Sequence, residues 1–463
     1  MRFDHENTKR KYPLAIVILA AGMGTRMKSN LPKVMHPLAG KPMINWLIDT
    51  AEGLNPEKIL VVVGPDMPEL EATIAPHQPV IQQVRNGTGG ALQCAMPFLD
   101  GFKGNVLVLL GDTPLLSQDT LQHLIDVRNV DAMTGVSVLG ATMENPTGYG
   151  RLIEKSDGTL RHIVEEKDAS DKERAVKKVN TGAFCIDALR LPKWLGKIDN
   201  NNAQGEFYIT DLPYIAAEDG FYTRIAMAHN TAETQGCNTR SDLAALEGEL
   251  QKKLRKNIMD QGVQMLDPST VYVHYDTVIE PGTLIEPNVF LGPDVTIKAG
   301  CHIKAFCHFE GVVIHENVTI GPFARLRPGT VLEENVRIGN FVEVKKSKIG
   351  ARSKVNHLGY VGDCDMGEDV NFSAGAITVN YDGFEKHQTV IGNNVIVGSN
   401  SNLIAPISID DGAFIAAGST ITEDVPTDAL SISRDSGKIR EGWAAEYRRR
   451  KAAIAKKITN KKK

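Results

Sequence analysis

A glycine-rich segment, LAAGMGTRM (residues 19–27), directly follows a predicted strand and could bind phosphate. Gly22 and Gly24 would let backbone N–H groups approach an anion, and Arg26 and the later Lys33 would add positive charge. The segment is not the dinucleotide-binding fingerprint, because Met27 stands in place of the third glycine, and it lacks the ending of a P-loop. It therefore predicts a phosphate site, against the alternative of a plain tight turn between strand and helix.

An aspartate, Asp112, follows the apolar run NVLVLLG of residues 105–111. A continuous apolar run of this length predicts a strand that is buried on both faces. Ligands of open α/β sheets bind beyond the carboxyl ends of the strands, and Mg²⁺ prefers oxygen ligands. We therefore expect Asp112 to bind a metal ion beside the phosphates; the alternative is an aspartate that only caps a turn or a helix.

Three residues of the second half of the chain could serve group transfer. Arg327 and Lys345 are eighteen positions apart, and each directly follows an aliphatic residue. If they stack on adjacent coils of a repeat, their backbones lie about 5 Å apart, and a bound phosphate would relieve their repulsion. The alternative is a solvated surface. His357 could take the proton from an attacking amine, although a lone histidine is more often structural or merely exposed.

The elements that must position these residues differ between the two halves. Residues 14 to about 230 alternate short apolar strands with helices, which predicts a Rossmann-like α/β domain with a mainly parallel sheet over residues 1–238. Leucines at spacings of three and four predict one helix over residues 241–260, inside a linker of residues 239–262.

After residue 265 the apolar residues recur every six positions, which is typical of a parallel β-helix with three short strands per coil. We therefore predict a left-handed parallel β-helix over residues 263–463, ending in a basic tail. The inward-facing residues form three runs: Ile279, Ile285, Leu291, Ile297, Ile303 and Phe309; Ile320, Leu326, Leu332, Ile338 and Val344; and Ile391, Val397, Leu403, Ile409, Ile415 and Ile421.

Composition sets wider limits on the class of protein. A length of 463 residues predicts at least two domains, and a net charge of -4 does not favour nucleic-acid binding. The apolar run from Leu14 to Ala21 is too short for a signal peptide or a membrane span. Six scattered cysteines without a CxxC pair suit free thiols in the cytoplasm. The basic runs 448–451 and 461–463 are expected to be a solvated, frayed tail. We do not expect Cys301–His302 and Cys307–His308 to share a metal ion, because six positions separate them onto different faces.

The first half resembles the sugar-nucleotide pyrophosphorylases, because LAAGxGTRM is followed closely by the Pro32–Lys33 pair. The resemblance implies Arg26 and Lys33 as catalytic residues, and Asp112 and Asn238 as ligands of Mg²⁺. Leu110 and Gly90 depart from the family, which often has an aromatic residue and a histidine at these places. The implied residues of the uridylyl site are Leu19, Ala20, Ala21, Gly22, Lys33, Gln82, Gly87, Thr88, Leu110, Gly111, Asp112, Gly150, Glu165, Asn180 and Asn238.

Residues 16 to 434 resemble, in the same domain order, the bacterial family of N-acetylglucosamine-1-phosphate uridyltransferases that are also glucosamine-1-phosphate acetyltransferases. The segments GPFARLRPGT, GNFVEVKKSKIG, HLGYVGD, NFSAGAITVNYDG and VGSNSNLIAP carry this resemblance. It implies His357 as the base, and Glu343 is a candidate for orienting it. It implies a homotrimer with the acetyl site between subunits. The sugar phosphate would contact Arg327, Lys345, Tyr360 and Asn371, and acetyl-CoA would contact Ala374, Asn380, Tyr381, Ser399, Ala417 and Arg434.

The sequence therefore predicts a cytoplasmic, bifunctional transferase without membrane insertion or a nucleic-acid partner. Its β-helix would convert acetyl-CoA and glucosamine-1-phosphate to N-acetylglucosamine-1-phosphate and CoA. Its first domain would convert that product and UTP to UDP-N-acetylglucosamine and pyrophosphate, a supply for peptidoglycan and lipid A. One alternative is a monofunctional pyrophosphorylase whose β-helix is structural or regulatory. A second alternative is a scaffold in which both sites have decayed.

Overall fold

The computed structural model describes residues 12–434 and 439–460. The lysines at 461–463, which belong to the predicted basic tail, and the polar segment 1–11 lie outside the described residues. The chain divides into two compact units. The first runs to Asn257 and includes Val273–Tyr275, and the second consists of Ile258–Tyr272 and the residues from Asp276 onward. The division falls inside the helix predicted as the linker.

The first unit is a nine-stranded mixed sheet flanked by helices. Its strands are Leu14–Leu19, Lys58–Val63, Gln78–Ile81, Asn105–Leu110, Thr134–Thr142, Arg151–Glu154, Leu160–Val164, Lys178–Asp187 and Tyr222–Met227. Its α-helices are Met43–Glu52, Pro68–Thr73, Thr88–Ala95, Gln118–Arg128, Asp171–Arg174, Leu191–Leu195, Leu212–Glu218 and Arg240–Asp260. A separate two-stranded ribbon joins Pro37–Leu38 to Lys41–Pro42.

The central strand Leu14–Leu19 is buried on both faces, as its apolar run predicts. Ala15 and Val17 pack into one hydrophobic cluster, whereas Ile16 and Ile18 pack into the cluster on the opposite face. The strand pairs in parallel with Lys58–Val63 on one side and with Asn105–Leu110 on the other. The carboxyl ends of these strands therefore meet at one edge, which places the glycine-rich segment beside Asp112.

The second unit is a left-handed parallel β-helix of three sheets, as predicted. In each sheet a strand pairs in parallel with the third strand after it along the chain, so that three strands make one coil. The ten-stranded sheet contains Gln264–Met265, Leu284–Ile285, His302–Ile303, Thr319–Ile320, Arg337–Asn340, Lys354–His357, Asn371–Phe372, Ile396–Val397, Phe414–Ile415 and Leu430–Ser431. The nine-stranded sheet contains Tyr272–Val273, Phe290–Leu291, His308–Phe309, Arg325–Leu326, Glu343–Lys345, Tyr360–Gly362, Ile377–Val379, Asn402–Ile404 and Thr420–Ile421. The eight-stranded sheet contains Val278–Ile279, Val295–Ile297, Val312–Ile314, Thr330–Leu332, Lys348–Ile349, Cys364–Met366, Thr389–Ile391 and Ile407–Ile409.

The hexad residues of all three predicted runs point into this β-helix. Each of them is at most 4% exposed, and Ile303, Leu326 and Val397 are fully buried. Because a strand alternates its side chains between two faces, the residues on either side of each hexad residue face outward. This alternation confirms the six-residue period and sets which side chains can meet a ligand.

One coil of the β-helix carries a loop of residues 380–388. Between the first and last coils, residues that stack on adjacent coils are otherwise separated by 17 or 18 positions, as are Asn340 and His357. Across the loop the separation rises to 25, as between Glu368 and Asn393. The NYDG segment therefore protrudes from the β-helix, which agrees with the break in period at this point.

The basic run at residues 448–451 was predicted to lie in a frayed tail, and this is wrong. It lies in an α-helix, Trp443–Asn460, and its side chains are exposed. Alanine, arginine and lysine favour helices, and an ion pair joins Glu446 to Arg450 one turn later. Local helix propensity therefore orders this segment without burying it.

Candidate functional site

Two cavities open at the carboxyl edge of the first unit's sheet. The first cavity, of about 330 Å³, is lined by Leu19, Ala20, Ala21, Gly22, Lys33, Val34, Gln82, Arg85, Gly87, Thr88, Ala91, Leu110, Asp112 and Glu206. The second cavity, of about 510 Å³, is lined by residues that include Arg26, Tyr149, Gly150, Glu165, Asn180, Thr210, Asn238 and Asp242. Thr88, Leu110 and Asp112 line both, so the two cavities meet at these residues.

The predicted uridylyl-site residues thus fall into two neighbouring groups, one in each cavity. Gly111 is the exception, since it lines neither cavity and its backbone N–H donates to the carbonyl of Leu19. Arg85 was not predicted, although it lies in the segment that supplies Gln82 and Gly87. Its side chain lines the first cavity, and its Nε donates to the Ala21 carbonyl over 2.6 Å.

A charged cluster lies where the cavities meet. Lys33 forms an ion pair with Asp112, and its Nζ also lies 3.2 Å from Oδ1 of Asn238. Arg26 donates to that same amide oxygen over 2.8 Å. A carboxylate oxygen and an amide oxygen thus converge on one cation, which is the kind of donor set that Mg²⁺ requires. The predicted metal ligands fit the ion by their chemistry and their proximity.

The departure at Gly90 has a steric reason in this chain. A Cβ atom at position 90 would lie 1.9 Å from Oδ1 of Asn86, so only glycine leaves room for that side chain. Asn86 in turn accepts a hydrogen bond from Nε2 of Gln82 over 3.2 Å. A glycine and an asparagine together therefore hold the Gln82 amide at the wall of the first cavity.

Acidic side chains gather around Glu165, which lines the second cavity. Glu165 accepts a hydrogen bond from the Thr210 hydroxyl over 3.1 Å, and burial raises the pKa of its carboxyl. Burial, and then the charges of Asp199, Glu165 and Asp168, raise the pKa of Asp211 to about 6. Asp211 therefore remains partly protonated at a pH where an ordinary aspartate is fully charged.

The Asp211→Asn substitution should stabilise the first unit at pH 8 by about 1 kcal/mol and leave it unchanged below pH 4. A raised pKa means that the folded state binds the proton more tightly, so stability falls as the pH rises from about 4 to 6. The full shift corresponds to about 3 kcal/mol, which solvent screening of a half-exposed carboxyl reduces. Urea unfolding followed by tryptophan fluorescence at both pH values checks this. The exposed control Asp66→Asn should show no gain, and an Asp211→Asn gain of equal size at pH 4 would contradict the argument.

In the second unit one corner of the β-helix carries a column of residues on successive coils. We call Asn340, His357, Ala374, Ser399 and Ala417 the corner column; all but Asn340 were predicted. The residue after each of the last four donates its N–H to the carbonyl of the preceding member of the column. Leu358 N–H donates to Asn340, Gly375 to His357, Asn400 to Ala374 and Gly418 to Ser399. Ala374, Ser399 and Ala417 carry only small side chains, so little covers the surface of this corner as far as His357, and we call this strip the groove.

The cations Arg327 and Lys345 lie on adjacent strands of the nine-stranded sheet. Nη1 of Arg327 donates to Oε1 of Glu343 over 2.9 Å, so Glu343 pairs with the arginine instead of with His357. The Lys386 ammonium, burial and Arg327 lower the pKa of Lys345. Lys386 was not predicted, and the 380–388 loop brings it beside Lys345. Cations packed this closely form an anion site.

The remaining predicted acetyl-site residues lie on the protruding loop, on neighbouring coils of the β-helix, or at the far end of the corner column. Asn380 donates to Asp363 over 2.6 Å, and the same amide nitrogen lies 3.4 Å from the Tyr360 hydroxyl. Nδ2 of Asn371 donates to Ser373 over 3.1 Å. Tyr381 is exposed on the protruding loop, where its hydroxyl donates to the Gly383 carbonyl. Arg434 donates to the carbonyl of Ala417 over 2.7 Å, at the far end of the corner column.

The Cys301–His302 and Cys307–His308 pairs have separate partners. His302 lies 2.8 Å from Glu286, whereas His308 stacks on Phe290. Burial raises the pKa of both thiols to about 11. Among the described residues no three His, Cys, Asp or Glu side chains form a group that could hold a metal ion.

An α/β sheet with a cationic cluster at its carboxyl edge, followed by a β-helix of six-residue repeats, is the architecture of a two-domain transferase. The model of the MobA-like NTP transferase domain matches residues 16–173. The model of the bacterial transferase hexapeptide (six repeats) matches residues 311–346 and 388–423. The first unit is thus a nucleotidyltransferase domain, and the second carries the repeat of hexapeptide transferases.

The chain is similar over nearly its whole length to proteins named bifunctional protein GlmU. It is 47% identical to that of Paramagnetospirillum magneticum over 440 residues, which cover 95% of this chain and 98% of the relative. Identity is 45% to that of Acinetobacter baumannii strain AYE, with coverage of 90% and 95%. It is 43% to that of Thermoanaerobacter pseudethanolicus, with coverage of 94% and 98%.

The chain belongs to the bifunctional GlmU family. It is an enzyme with a uridyltransferase and an acetyltransferase domain, which confirms the prediction of two activities and removes the monofunctional and scaffold alternatives. In the described part of the chain, none of the helices has the length and apolar character that crossing a membrane demands.

Proposed function

We propose that the β-helix acetylates glucosamine-1-phosphate with acetyl-CoA, and that the first unit joins the product to UMP from UTP. The observation that carries this assignment is the position of the two charged sites. One lies where two cavities meet, and the other lies beside a histidine that ends a groove. The free thiols of all six cysteines suit a cytoplasmic enzyme. UDP-N-acetylglucosamine would then supply peptidoglycan and lipid A synthesis.

In the first unit the uridine would occupy the first cavity and the sugar the second. An oxygen of the sugar phosphate attacks the α-phosphorus of UTP, the new O–P bond forms, and pyrophosphate leaves with the electrons of the broken bond. Lys33 and Arg26 neutralise the phosphate charge at the point where the cavities meet. Mg²⁺ held by Asp112 and Asn238 would add positive charge there.

In the second unit the pantetheine arm of acetyl-CoA would follow the groove over Ala417, Ser399 and Ala374. The sugar phosphate would bind Arg327, Lys345, Tyr360 and Asn371, with Lys386 as a further cation. His357 takes a proton as the amine attacks the thioester carbonyl, the C–N bond forms and the C–S bond breaks. The proton then passes from the imidazolium to the departing sulfur of CoA.

Two assays on the full chain test this proposal. One measures free thiol released from acetyl-CoA with glucosamine-1-phosphate. The other measures pyrophosphate released from UTP with N-acetylglucosamine-1-phosphate and Mg²⁺. We expect both products, and neither should form when the amino sugar or its acetylated form lacks the phosphate. Thiol release that does not depend on that phosphate would overturn the assignment of the cationic site.

We also propose that the protein is a homotrimer that packs through a row of apolar corner residues. Four apolar residues occupy corners of successive coils with φ between 49° and 60°, where other coils carry glycine or asparagine: Phe306, Phe323, Phe341 and Leu358. They are 46% to 61% exposed, and the phenylalanine rings stack at 4.8 and 5.1 Å. A bulky residue in the left-handed backbone conformation costs about 1 kcal/mol or more of folding free energy. A row of four such exposed residues therefore favours an interface in which a second copy of the chain buries them. Leu358 directly follows His357, so a second copy on this row would also border the acetyl site.

The double substitution Phe323→Asn/Phe341→Asn should break the trimer. Asparagine is compatible with the left-handed corner, so the coil should persist while the apolar contact is lost. Sedimentation should show the mass of a single chain at micromolar concentration, and acetyl transfer should fall by about tenfold or more while uridylyl transfer is retained. The exposed valines Val313→Thr/Val390→Thr provide the control and should leave a trimer. A double variant that remains a trimer would show that this row is not the interface.

A further inference from the structure

The corner column places His357 between two different neighbours. On the side of the groove the next residue is Ala374, which carries only a methyl group. On the other side the next residue is Asn340, whose register partner is His357 itself. The carbonyl of Asn340 accepts from Leu358 N–H over 3.0 Å, and this bond fixes the two backbones side by side. Asn340 is therefore the one member of the column placed to hold the imidazole by its side chain.

The contact between these side chains is a hydrogen bond of ordinary length. Nδ1 of His357 lies 2.9 Å from Oδ1 of Asn340. An amide oxygen only accepts, so the hydrogen must be on Nδ1. In a neutral imidazole the lone pair is then on Nε2, on the opposite side of the ring. The contact thus selects which nitrogen acts as the base.

Three charged residues lie on the strands next to His357: Arg337, Lys354 and Glu343. Arg337 and Lys354 lie in register with each other on the two strands that carry Asn340 and His357, three positions before them. Glu343 begins the strand after Asn340 and bonds to Arg327. Within residues 12–434 and 439–460, His357 forms no ion pair with a carboxylate, so its partner is a neutral amide.

We propose that Asn340 is the positioning residue of the acetyl transfer, and that it holds His357 with Nδ1 protonated and Nε2 free for the substrate amine. This inference rests on the proposed role of His357 as the base. Nε2 receives the amine proton as the C–N bond forms, and it returns that proton to the CoA sulfur as the C–S bond breaks. Throughout, Nδ1 keeps its hydrogen and donates it to the Asn340 oxygen, so the neutral amide supports the imidazolium without adding a charge.

Two substitutions separate this role from a merely structural one. Asn340→Ala removes the acceptor and should lower kcat of acetyl transfer by about tenfold to a hundredfold, with the KM of both substrates little changed. Asn340→Asp keeps the acceptor and adds a charge that stabilises the imidazolium. The acid limb of its kcat/KM profile should therefore move about one pH unit higher, and above that limb the rate should recover well beyond that of Asn340→Ala.

Uridylyl transfer and the trimer mass of each variant report on folding, and Asn402→Ala is the matched control. The Asn402 side chain likewise bonds across coils, here by donating to Thr420, but it lies on the nine-stranded sheet. The inference is overturned if Asn340→Ala keeps the wild-type kcat, or if the acid limb of Asn340→Asp does not move. The proposed function fails by a different result, namely undiminished acetyl transfer by His357→Ala.

Discussion

The His357→Ala enzyme should lose acetyl transfer by about 10² or more in kcat while its release of pyrophosphate from UTP stays at the wild-type rate. General base catalysis contributes about 10² to 10⁴ to such a step. His357 is exposed at the end of the groove and its one side-chain hydrogen bond goes to Asn340, so its removal costs the fold little. Release of free thiol measures the lost acetyl transfer. Release of pyrophosphate by the same sample measures the uridylyl transfer that is retained.

A second histidine gives the matched control for this result. His308 is also partly exposed on the β-helix, where it stacks on Phe290 and lies 3.6 Å from Glu310. His308→Ala should retain acetyl transfer within about twofold, since surface substitutions away from a site change little. If His308→Ala and His357→Ala lost equal activity, the effect would come from the β-helix as a whole and not from a base at residue 357.

The reciprocal result is expected at the other site. Asp112→Asn should lower uridylyl transfer by about 10² to 10³, with acetyl transfer unchanged, because it removes a negative charge that faces Lys33 and would bind Mg²⁺. The amide keeps the size of the side chain, so the cavity retains its shape. Mn²⁺ binding, measured by electron paramagnetic resonance in the presence of UTP, should weaken along with the rate.

Asp49→Asn is the control for this substitution. Asp49 also pairs with a lysine of the first unit, Lys41, but it lines neither cavity. Its replacement should leave both activities and Mn²⁺ binding intact. Full uridylyl activity with Asp112→Asn would remove Asp112 from the proposed metal site, and loss of both activities would point to misfolding instead.

The strands and the inward-facing residues were predicted well from the sequence, because the geometry of a strand or a coil allows only one arrangement of them. A hexad residue such as Ile303 or Val397 must face inward, because each coil turns through three short strands and the apolar residue of each strand can be buried only in the interior. The run at residues 105–111 must be a central strand, because an apolar segment of that length needs cover on both faces. The order and direction of those strands then determine that Lys33 and Asp112 lie at the same edge of the sheet.

Side-chain partners were harder to predict, since several candidates compete for each group. Glu343 was one candidate partner of His357, but its carboxylate bonds to the guanidinium of Arg327, and the neutral Asn340 bonds to the imidazole. Lys386 joins the cationic site only because a protruding loop folds back, which has no periodic signal. The raised pKa of Asp211 depends on burial and on the carboxylates of two other segments, Asp199 in one and Glu165 and Asp168 in the other. Such choices depend on three-dimensional proximity, which spacing along the chain does not encode.

The loop of residues 380–388 lengthens one coil and yet leaves the stack in register. Beyond it Met366 pairs with Ile391, and the next coil resumes with Ile391 beside Ile409. The inward-facing residues of the coils before and after the loop therefore stack in the same way as they do elsewhere in the β-helix. In a β-helix of this kind, residues for catalysis can be added as a loop between two strands. The length and composition of such a loop can therefore vary between relatives, while the inward-facing residues must stay apolar. Substitutions in the 380–388 loop could thus change substrate preference at little cost to the stability of the β-helix.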